Sequence, residues 1–360
     1  MRVLFLTRLY WPHVGGVEKH VASISKVLNT TGSKITVLTT RYDKSLKSKE
    51  KKEEVEIVRF RQPKYKYIGL IYTWLWMLKN IDLIYKSDLI HTNDVFIWYF
   101  PFRFLFPRKP VYTTFHGWEG KYPIPLKSIL QKKIAAILST KTLAVGEYIG
   151  KYYGIRPDRV TYGGVNIIQS SPASPSEAGR AKFKVQNYKS KFKIIYVGRL
   201  EEDTGLPIFL DAIKRYRRID DGNKYKDKYK IEFVGDGKMR KECEKNGRVY
   251  GFVDPGPYYA RASVCFASGY LTILEAFANK CLVICAYDNP LKKDYYQLTP
   301  FKKWIISSNS SSDIAETIAD FSNNNSKYQK MIEEGYNWVK TQTWEKVTNS
   351  YLELWGVEKT

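Results

Sequence analysis

The chain has 360 residues, which is enough for two domains of about 150–200 residues each. Hydrophobic residues make up 44% of it, a share that excludes a wholly disordered protein. The formal net charge of +23 indicates either a solvated lysine-rich surface or an anionic partner, such as nucleic acid, an anionic membrane or a phosphorylated substrate.

Short apolar segments alternate with helical periods along the first half of the chain. Residues 2–7 are typical of a buried strand, and Val17, Val21, Ile24 and Leu28 then fall on one helical face. Further strands are predicted at 34–39, 54–60, 88–93, 111–116, 141–146 and 160–165. Because strands separated by helices need crossover connections, this order predicts a parallel, doubly wound α/β sheet.

The second half repeats this organisation after a change in composition. Residues 169–180 are rich in Ser, Pro and Gly and predict a linker, and the alternation restarts at residues 193–198. We therefore predict Rossmann-like domains over 1–168 and 191–340, joined by a linker at 169–190. Such sheets bind ligands at the carboxyl ends of their strands, so a site is expected in a cleft between two facing domains.

Three strand ends carry residues suited to phosphate or sugar binding. Gly15 and Gly16 allow backbone N–H groups to approach an anion at a helix N-terminus, or they form an ordinary strand-to-helix turn. His116 can contact a sugar hydroxyl or a leaving oxygen, although a lone histidine can also be structural. Arg199 can bind a diphosphate in a bidentate way, or it can pair with a neighbouring glutamate on the surface.

A fourth strand end precedes a helix near residue 271. Gly269 breaks the chain there, so the N–H groups of Tyr270, Leu271 and Thr272 are expected to be free and to face the cleft. Glu275 lies one turn further along, at a position otherwise suited to apolar packing. A carboxylate there needs hydrogen-bond donors, which two ribose hydroxyls or a lysine on the helix surface can supply.

In this order the motifs resemble the archaeal and bacterial family 4 glycosyltransferases, which have the two-domain GT-B fold and retain anomeric configuration. The resemblance covers nearly the whole chain, and it rests on GGVEKH (15–20), FHG (115–117), YGGVN (162–166), VGRL (197–200), GDG (235–237), GFV (251–253), LEA (274–276) and WEKVTNSY (344–351). It implies an enzyme that transfers a hexose from a nucleotide-diphosphate sugar to a glycan acceptor, with no metal or other cofactor. It also implies a C-terminal helix, about 341–360, that packs back on the first domain.

The resemblance assigns a role to each motif of the first domain and to the arginine. Gly15 and Gly16 would lie against the sugar-diphosphate of the donor. The catalytic residues would be His116, near the transferred sugar, and Arg199, which would neutralise the diphosphate leaving group. Both glycines and the arginine therefore count as expected donor-binding residues.

The rest of the expected donor site lies around the fourth strand end. Leu271 and Thr272 would bind phosphate through backbone N–H groups, and Glu275 would bind the ribose. Backbone groups of Ser268, Gly269 and Tyr270 would take over part of the contact to the sugar ring.

Two departures from the family pattern affect this site. The first carboxylate of the family's E-x7-E region falls at Ala267, and the lysine after VGR falls at Thr204, a donor-site position without a cation. These departures leave a non-catalytic, glycosyltransferase-like partner protein as an alternative. From charge alone, a nucleic-acid-binding protein is another alternative, but no recognition motif is visible and we expect no nucleic-acid partner.

Two aromatic-rich segments, 67–79 and 95–110, predict a membrane or acceptor surface. The residues expected to form it are Trp74, Trp76, Trp98, Arg103 and Arg108. Aromatic rings beside clustered cations are common at bilayer interfaces, so a peripheral protein at the inner face of the cell membrane is expected. Its acceptor would be a lipid-linked glycan used in N-glycan or surface polysaccharide assembly. Ordinary core helices, and with them a soluble transferase, are the alternative.

Two further features of the sequence bear on location. Its longest apolar runs are shorter than the roughly 18–20 residues of a membrane-spanning helix. The N-terminal apolar stretch is interrupted by Arg8 and is not followed by a small-residue cleavage site, unlike a signal peptide. Both features predict a cytoplasmic protein.

Overall fold

A computed structural model of the chain describes residues 1–63, 65–166, 192–220, 229–323 and 326–357. These residues form two compact units. The first consists of Met1–Gly164 together with Trp344–Thr360, and the second is Val165–Thr343. The linker predicted at 169–190 lies outside the described residues.

The first unit alternates strands with helices. In chain order its elements are β1 (Arg2–Thr7), α1 (Gly16–Thr30), β2 (Lys34–Thr40), β3 (Lys49–Lys52), β4 (Val55–Phe60), α2 (Lys66–Lys79), α3 (Asp82–Lys86), β5 (Leu89–Asn93), α4 (Phe96–Leu105), β6 (Val111–Phe115), α5 (Leu126–Leu138), β7 (Lys141–Val145), α6 (Tyr148–Tyr153) and β8 (Arg159–Thr161). Most of these strands are apolar runs, as expected of strands that helices cover on both faces of a parallel sheet.

The second unit repeats the pattern, and the chain then returns to the first unit. The elements are β9 (Phe192–Val197), a 3-10 turn (Glu202–Thr204), α7 (Leu206–Asp220), β10 (Tyr229–Val234), α8 (Arg240–Glu244), β11 (Arg248–Val249), α9 (Gly256–Tyr259), β12 (Val264–Ala267), α10 (Tyr270–Ala278), β13 (Leu282–Ala286), α11 (Pro290–Gln297), a second 3-10 turn (Lys302–Trp304), β14 (Ile305–Ser308), α12 (Ser311–Asn323), α13 (Ser326–Val339) and α14 (Trp344–Trp355). The terminal helix α14 packs on α1 of the first unit.

Each unit contains one sheet. In the first, the described strands are ordered β3-β4-β2-β1-β5-β6-β7-β8, and all neighbours are parallel except the edge strand β3, which runs antiparallel to β4. In the second, the order is β11-β10-β9-β12-β13-β14, and every pair is parallel. In each sheet, strands are added first on one side of the first strand and then on its other side, so the strand order reverses once. This reversal confirms the predicted doubly wound α/β architecture.

The reversal of strand order defines where each sheet can bind a ligand. In the first unit it falls between β1 and β5, where Thr7 pairs with Asn93 at the carboxyl ends. In the second it falls between β9 and β12, where Val197 pairs with Ala267. Ligands of open α/β sheets bind beyond the carboxyl ends of strands at such points.

No helix among the described residues is both long enough and apolar enough to cross a bilayer.

Candidate functional site

The strand reversal in the first unit opens into a cavity of ≈ 760 Å³. Thr7 and Arg8 follow β1 into its lining, Asn93 and Asp94 follow β5, and His116 follows β6. Further lining residues come from α4 and α5, and these supply an apolar wall of Phe96, Ile97, Phe100 and Ile134. The volume lies within the range of small-molecule sites, and the mixture of one apolar wall with a few polar groups is typical of them.

His116 is held in one tautomer by its neighbours. Its Nε2 lies 2.8 Å from Oδ1 of Asn93, whose Nδ2 donates to the carbonyl oxygen of Leu6 at 3.3 Å. Because Asn93 presents its oxygen, Nε2 of His116 must donate, and Nδ1 carries no proton. Burial, together with the nearby ammonium of Lys132, lowers the pKa of His116 to about 3. The neutral ring can therefore accept a hydrogen bond from a ligand hydroxyl, but it is a weak base at neutral pH.

Asp94 anchors the turn that carries His116. One carboxylate oxygen accepts from the backbone N–H of His116 at 3.0 Å, and the other accepts from Nζ of Lys132 at 3.1 Å. Asp94 adopts φ 57°, a left-handed conformation that aspartate tolerates better than most residues. Neither Asn93 nor Asp94 was among the predicted site residues. Their position at the end of β5, beside β1, was the available signal.

The terminal helix α14 supports this region from within the first unit. The hydroxyl of Tyr351 lies 3.0 Å from Nε2 of His20 and 2.9 Å from Oγ1 of Thr114. The ring of His20 in turn meets the ring of His116 edge-on, with 4.8 Å between centroids. Burial lowers the pKa of His20, so this ring also stays neutral at physiological pH. The helix therefore fixes the surroundings of His116.

The side chain of Glu18 fills part of the space beside the glycine pair at the start of α1. The carboxylate of Glu18 folds back over the helix N-terminus, where a Cβ on Gly15 would collide with it, and it pairs with His13 at 3.1 Å. At Gly16, in contrast, an added Cβ would meet no atom of the described chain within 4 Å. The predicted anion site at Gly15 therefore already faces a carboxylate, whereas the space over Gly16 is open.

The strand reversal in the second unit presents Arg199. Its guanidinium is largely exposed and pairs with Asp203 at 2.8 Å. The GDG turn (235–237) supports the loop that carries Arg199, since the N–H of Leu200 donates to the carbonyl oxygen of Asp236 at 2.9 Å. Gly235 approaches Gly198 so closely that a Cβ would collide with its carbonyl oxygen. The loop is thus fixed by backbone contacts, and the side chain of Arg199 extends from it.

The start of α10 differs from the prediction in one respect. The N–H of Tyr270 is not free, because it donates to the hydroxyl of Tyr295 at 3.0 Å. Gly269 is the N-cap and has no side chain to cap the helix, so the N–H groups of Leu271 and Thr272 have no acceptor among the described residues. Two of the three predicted donors therefore remain available to an anion.

The side chains at three other positions of the expected donor site are half-buried or buried. Glu275 is half-buried, and after burial itself it is the largest cause of the raised pKa of Tyr259, so its carboxylate lies near that hydroxyl. Thr204 is buried and donates to the carbonyl oxygen of Glu201 at 2.6 Å. Ala267 ends β12 as a buried methyl group. Thr204 and Ala267 therefore bring no charge to this part of the unit.

Most of the predicted membrane residues contact other residues of the first unit through ring stacking or hydrogen bonds. Trp98 is wrong as a surface residue, because it is only 4% exposed and packs edge-on against Phe60. Trp76 stacks on the same ring, Nε1 of Trp74 donates to the carbonyl oxygen of Ile97 at 2.9 Å, and Arg103 donates to the carbonyl oxygen of Leu138 at 2.9 Å. Arg108 is exposed.

Other residues of the same region form an exposed apolar surface. It comprises Ile68, Ile71, Tyr72, Leu75 and Leu78 on α2, Phe104 and Leu105 on α4, and Leu126, Leu130 and Ile137 on α5. We call these ten residues the apolar face. Helix α4 contacts both α2 and α5. None of the three helices contains an aspartate or a glutamate.

Two family models match the chain. Glycosyltransferase Family 4 matches residues 14–167, and Glycosyl transferases group 1 matches residues 178–338. No curated protein matches.

Solved structures resemble the chain over nearly its whole length. A sucrose-phosphate synthase from Thermosynechococcus elongatus has a TM-score of 0.75 at 16% identity, with 98% of each chain covered. HepE from Anabaena in complex with UDP has a TM-score of 0.71 at 15% identity, covering 98% of this chain and 99% of that one. WaaG, a glycosyltransferase involved in lipopolysaccharide biosynthesis, has a TM-score of 0.66 at 14% identity, covering 96% and 98%. At these identities the likeness shows the fold, which is GT-B.

Proposed function

This chain is a family 4-like glycosyltransferase, and we propose that it transfers a hexose from a nucleotide-diphosphate sugar to a glycan acceptor with retention of anomeric configuration. The observation that carries the donor assignment is the strand reversal of the second unit. There an exposed guanidinium, Arg199, and the two unpaired N–H groups of Leu271 and Thr272 follow neighbouring strands. HepE of the same fold was solved with UDP, which supports a nucleotide diphosphate as the ligand.

The proposed chemistry needs positive charge at the leaving group. The bond between the anomeric carbon and the diphosphate oxygen breaks, and the diphosphate leaves with the electron pair. The acceptor oxygen bonds to that carbon, and its hydroxyl proton passes to the departing diphosphate oxygen. Arg199 and the N-terminus of α10 stabilise the growing charge, so we propose that no metal is required and that EDTA leaves turnover unchanged. Glu275 accepts hydrogen bonds from the ribose, and His116 can accept one from a sugar hydroxyl that enters the cavity of the first unit.

The acceptor is proposed to bind in the first unit. Helices α4 and α5 line its cavity and also carry part of the apolar face. Exposed cations adjoin that face at Lys79, Arg108, Lys127 and Lys133, and no acidic residue of α2, α4 or α5 opposes them. This combination suits an anionic lipid surface.

A lipid-linked glycan follows as the proposed acceptor. Its sugar would enter the cavity while its lipid stays in the bilayer against the apolar face. WaaG acts in lipopolysaccharide biosynthesis, which supports an acceptor of this kind for the fold. We therefore propose a peripheral protein at the inner face of the cell membrane that serves surface polysaccharide or protein glycan assembly.

The donor is tested by thermal shift with UDP, GDP and ADP, followed by assays of donor hydrolysis and transfer. Arg199→Met is expected to lower turnover more than donor affinity, because charge on the diphosphate grows in the transition state. Arg215→Met is the matched control, since Arg215 also pairs with an aspartate four residues away, Asp211 at 2.8 Å, but lies on α7.

Three outcomes would contradict the proposal in different ways. Full turnover in Arg199→Met would show that the diphosphate binds elsewhere. Donor binding without hydrolysis or transfer would indicate a non-catalytic, glycosyltransferase-like protein. Salt-sensitive binding of duplex DNA without nucleotide affinity would indicate a nucleic-acid-binding protein.

The membrane part is tested by co-sedimentation with vesicles of phosphatidylglycerol and of phosphatidylcholine. Binding is expected to the anionic vesicles only, to weaken with salt, and to be lost in a Leu75→Glu, Ile137→Glu double variant. Phe252→Glu is the control, because Phe252 is about as exposed as Leu75 but belongs to the second unit. Absence of vesicle binding would favour a transferase with a soluble acceptor.

A further inference from the structure

We propose that Lys292 is a second cation of the diphosphate site, beside Arg199 in the second unit. This inference rests on the proposed nucleotide-diphosphate donor and names a residue that the motifs of the sequence did not indicate. Lys292 belongs to α11, the helix that follows β13.

The ammonium of Lys292 is buried without a carboxylate partner. Lys292 is 5% exposed, and Nζ donates to the carbonyl oxygen of Ser268 at 2.7 Å. The rings of Tyr295 and Tyr296 lie beneath it, with centroids at 4.5 and 5.3 Å. Among the described residues, no aspartate or glutamate oxygen lies within the 4.0 Å of an ion pair.

Such an arrangement is electrostatically incomplete. One carbonyl dipole and two ring faces interact with the cation, but none of them carries a negative charge. A buried ammonium without a counterion is costly, and it commonly loses its proton or binds an anion. Burial is the main cause that lowers the pKa of Lys292 to about 8; Cys285, Asp203 and Asp288 oppose this shift, and Arg199 adds a smaller lowering, so the two cations lie within electrostatic reach of each other. An anion that contacts both would remove this cost.

The surroundings of Lys292 show that it lies beside the proposed diphosphate site. Ser268 lies between β12 and Gly269, so the carbonyl that holds the ammonium belongs to the turn that begins α10. On its other side, Ser268 packs against Gly198, where an added Cβ would lie 3.0 Å from Oγ of Ser268. The ammonium is therefore adjacent both to the Arg199 loop and to the helix N-terminus with unpaired N–H groups.

The position of Lys292 also allows it to replace the cation that is absent at position 204. Thr204, where the family resemblance implies a lysine, is buried and neutral. Gly205, the next residue, packs against Ala286 at the end of β13, the strand that leads to Lys292. A cation supplied from α11 can therefore serve the same region as one at position 204.

The experiment compares binding of a nucleoside diphosphate with binding of its nucleoside by isothermal titration calorimetry. The probe is whichever of UDP, GDP and ADP binds the wild-type protein most tightly. Lys292→Met is expected to weaken diphosphate binding at least tenfold and to leave nucleoside binding unchanged. Thr204→Lys in the Lys292→Met background is expected to restore part of the loss. Lys293→Met, the exposed neighbour on α11, is the control and is expected to bind as the wild type does.

The pH dependence gives a second readout that needs no charge-removing variant. A group with a pKa of about 8 loses its proton between pH 7 and 9, so wild-type diphosphate affinity is expected to fall about tenfold over that interval. Lys292→Arg, which stays protonated, is expected to show no such fall. The titratable and charged groups that face Lys292 are Arg199, Asp203, Cys285, Asp288, Tyr295 and Tyr296.

The outcomes separate this inference from the proposed function. A wild-type protein that binds none of the three nucleotides would overturn both. Wild-type binding with equal losses of nucleoside and diphosphate affinity in Lys292→Met would show a structural role, and no loss at all would show no role. If Lys292→Met does not fold, an identical pH profile for the wild type and Lys292→Arg overturns the inference.

Discussion

Acidification provides a sharp test of the region around His116. The native structure holds this ring neutral, since burial and Lys132 lower its pKa to about 3, whereas an unfolded histidine titrates near a pKa of about 6.5. Above that value the ring is neutral in both states and pH has no effect on stability through it. Below it, the unfolded chain binds a proton that the native state cannot accept. The free energy of unfolding therefore falls as the pH falls from about 6.5 towards 3.

The magnitude follows from the two pKa values. At pH 5 the unfolded ring is almost fully protonated, and RT ln(1 + 10^1.5) corresponds to a loss of about 2 kcal/mol relative to pH 7.5. The native ring, with its pKa of about 3, offsets almost none of this loss. Since whole domains are stable by only about 5–15 kcal/mol, the effect is large enough to measure.

The assay is urea unfolding of the wild type and of His116→Gln at pH 7.5 and pH 5. The wild type is expected to lose about 2 kcal/mol more than the variant on acidification. Arg108→Ala is the control, because Arg108 is exposed and the variant is expected to keep the wild-type loss. Equal losses in the wild type and in His116→Gln would refute the neutral, Asn93-bound ring.

Four substitutions test other parts of the two units. Glu275→Gln should weaken nucleoside binding by about 1–3 kcal/mol in calorimetry, since the ribose hydroxyls lose a charged acceptor. Tyr351→Phe should lower the free energy of unfolding by about 1–3 kcal/mol, because His20 loses a buried partner, which urea unfolding will measure. In the same assay Trp98→Ala should cost about 3–5 kcal/mol as a core truncation, whereas Arg108→Ala should change stability by less than about 0.5 kcal/mol.

The architecture was predictable because it depends on local patterns. Apolar strands such as β1 and β9 carry most of their hydrophobic residues in uninterrupted runs, and the helices between them leave little choice but a parallel sheet. Strand β3 was missed because KEKK (49–52) has no apolar periodicity. Its lysines suit an edge strand, where charge opposes pairing with another chain.

The prediction that Trp98 lies on the surface was wrong for a different reason. Aromatic residues beside cations are common both at membranes and in ordinary cores, and the sequence of α4 does not separate the two. Trp98 faces Phe60 inside the unit, while Phe104 and Leu105 of the same helix are exposed. Which ring points inward depends on the helices that contact α4, and those contacts are set by the tertiary fold.

Gly269 and Arg199 were predicted as site residues because each follows a strand, at the edge of the sheet where ligands bind. Asn93 and Asp94 could have been found too, but only after the strand order had been worked out, since their importance comes from β1 lying next to β5. Adjacent strand ends are a property of topology, and one strand considered alone does not reveal them.

The position of Lys292 depends on a helix cap. Asn289 caps α11 by accepting a hydrogen bond from the N–H of Lys292 at 2.9 Å, and Pro290 occupies the first helical position. Together they fix the rotation of the helix, so that Lys292 turns towards Ser268 while Lys293 remains exposed. In the sequence the two lysines are indistinguishable neighbours. A cation lost from a strand-end motif can therefore be replaced by one that a cap orients, and motif comparison alone then underestimates the positive charge of the site.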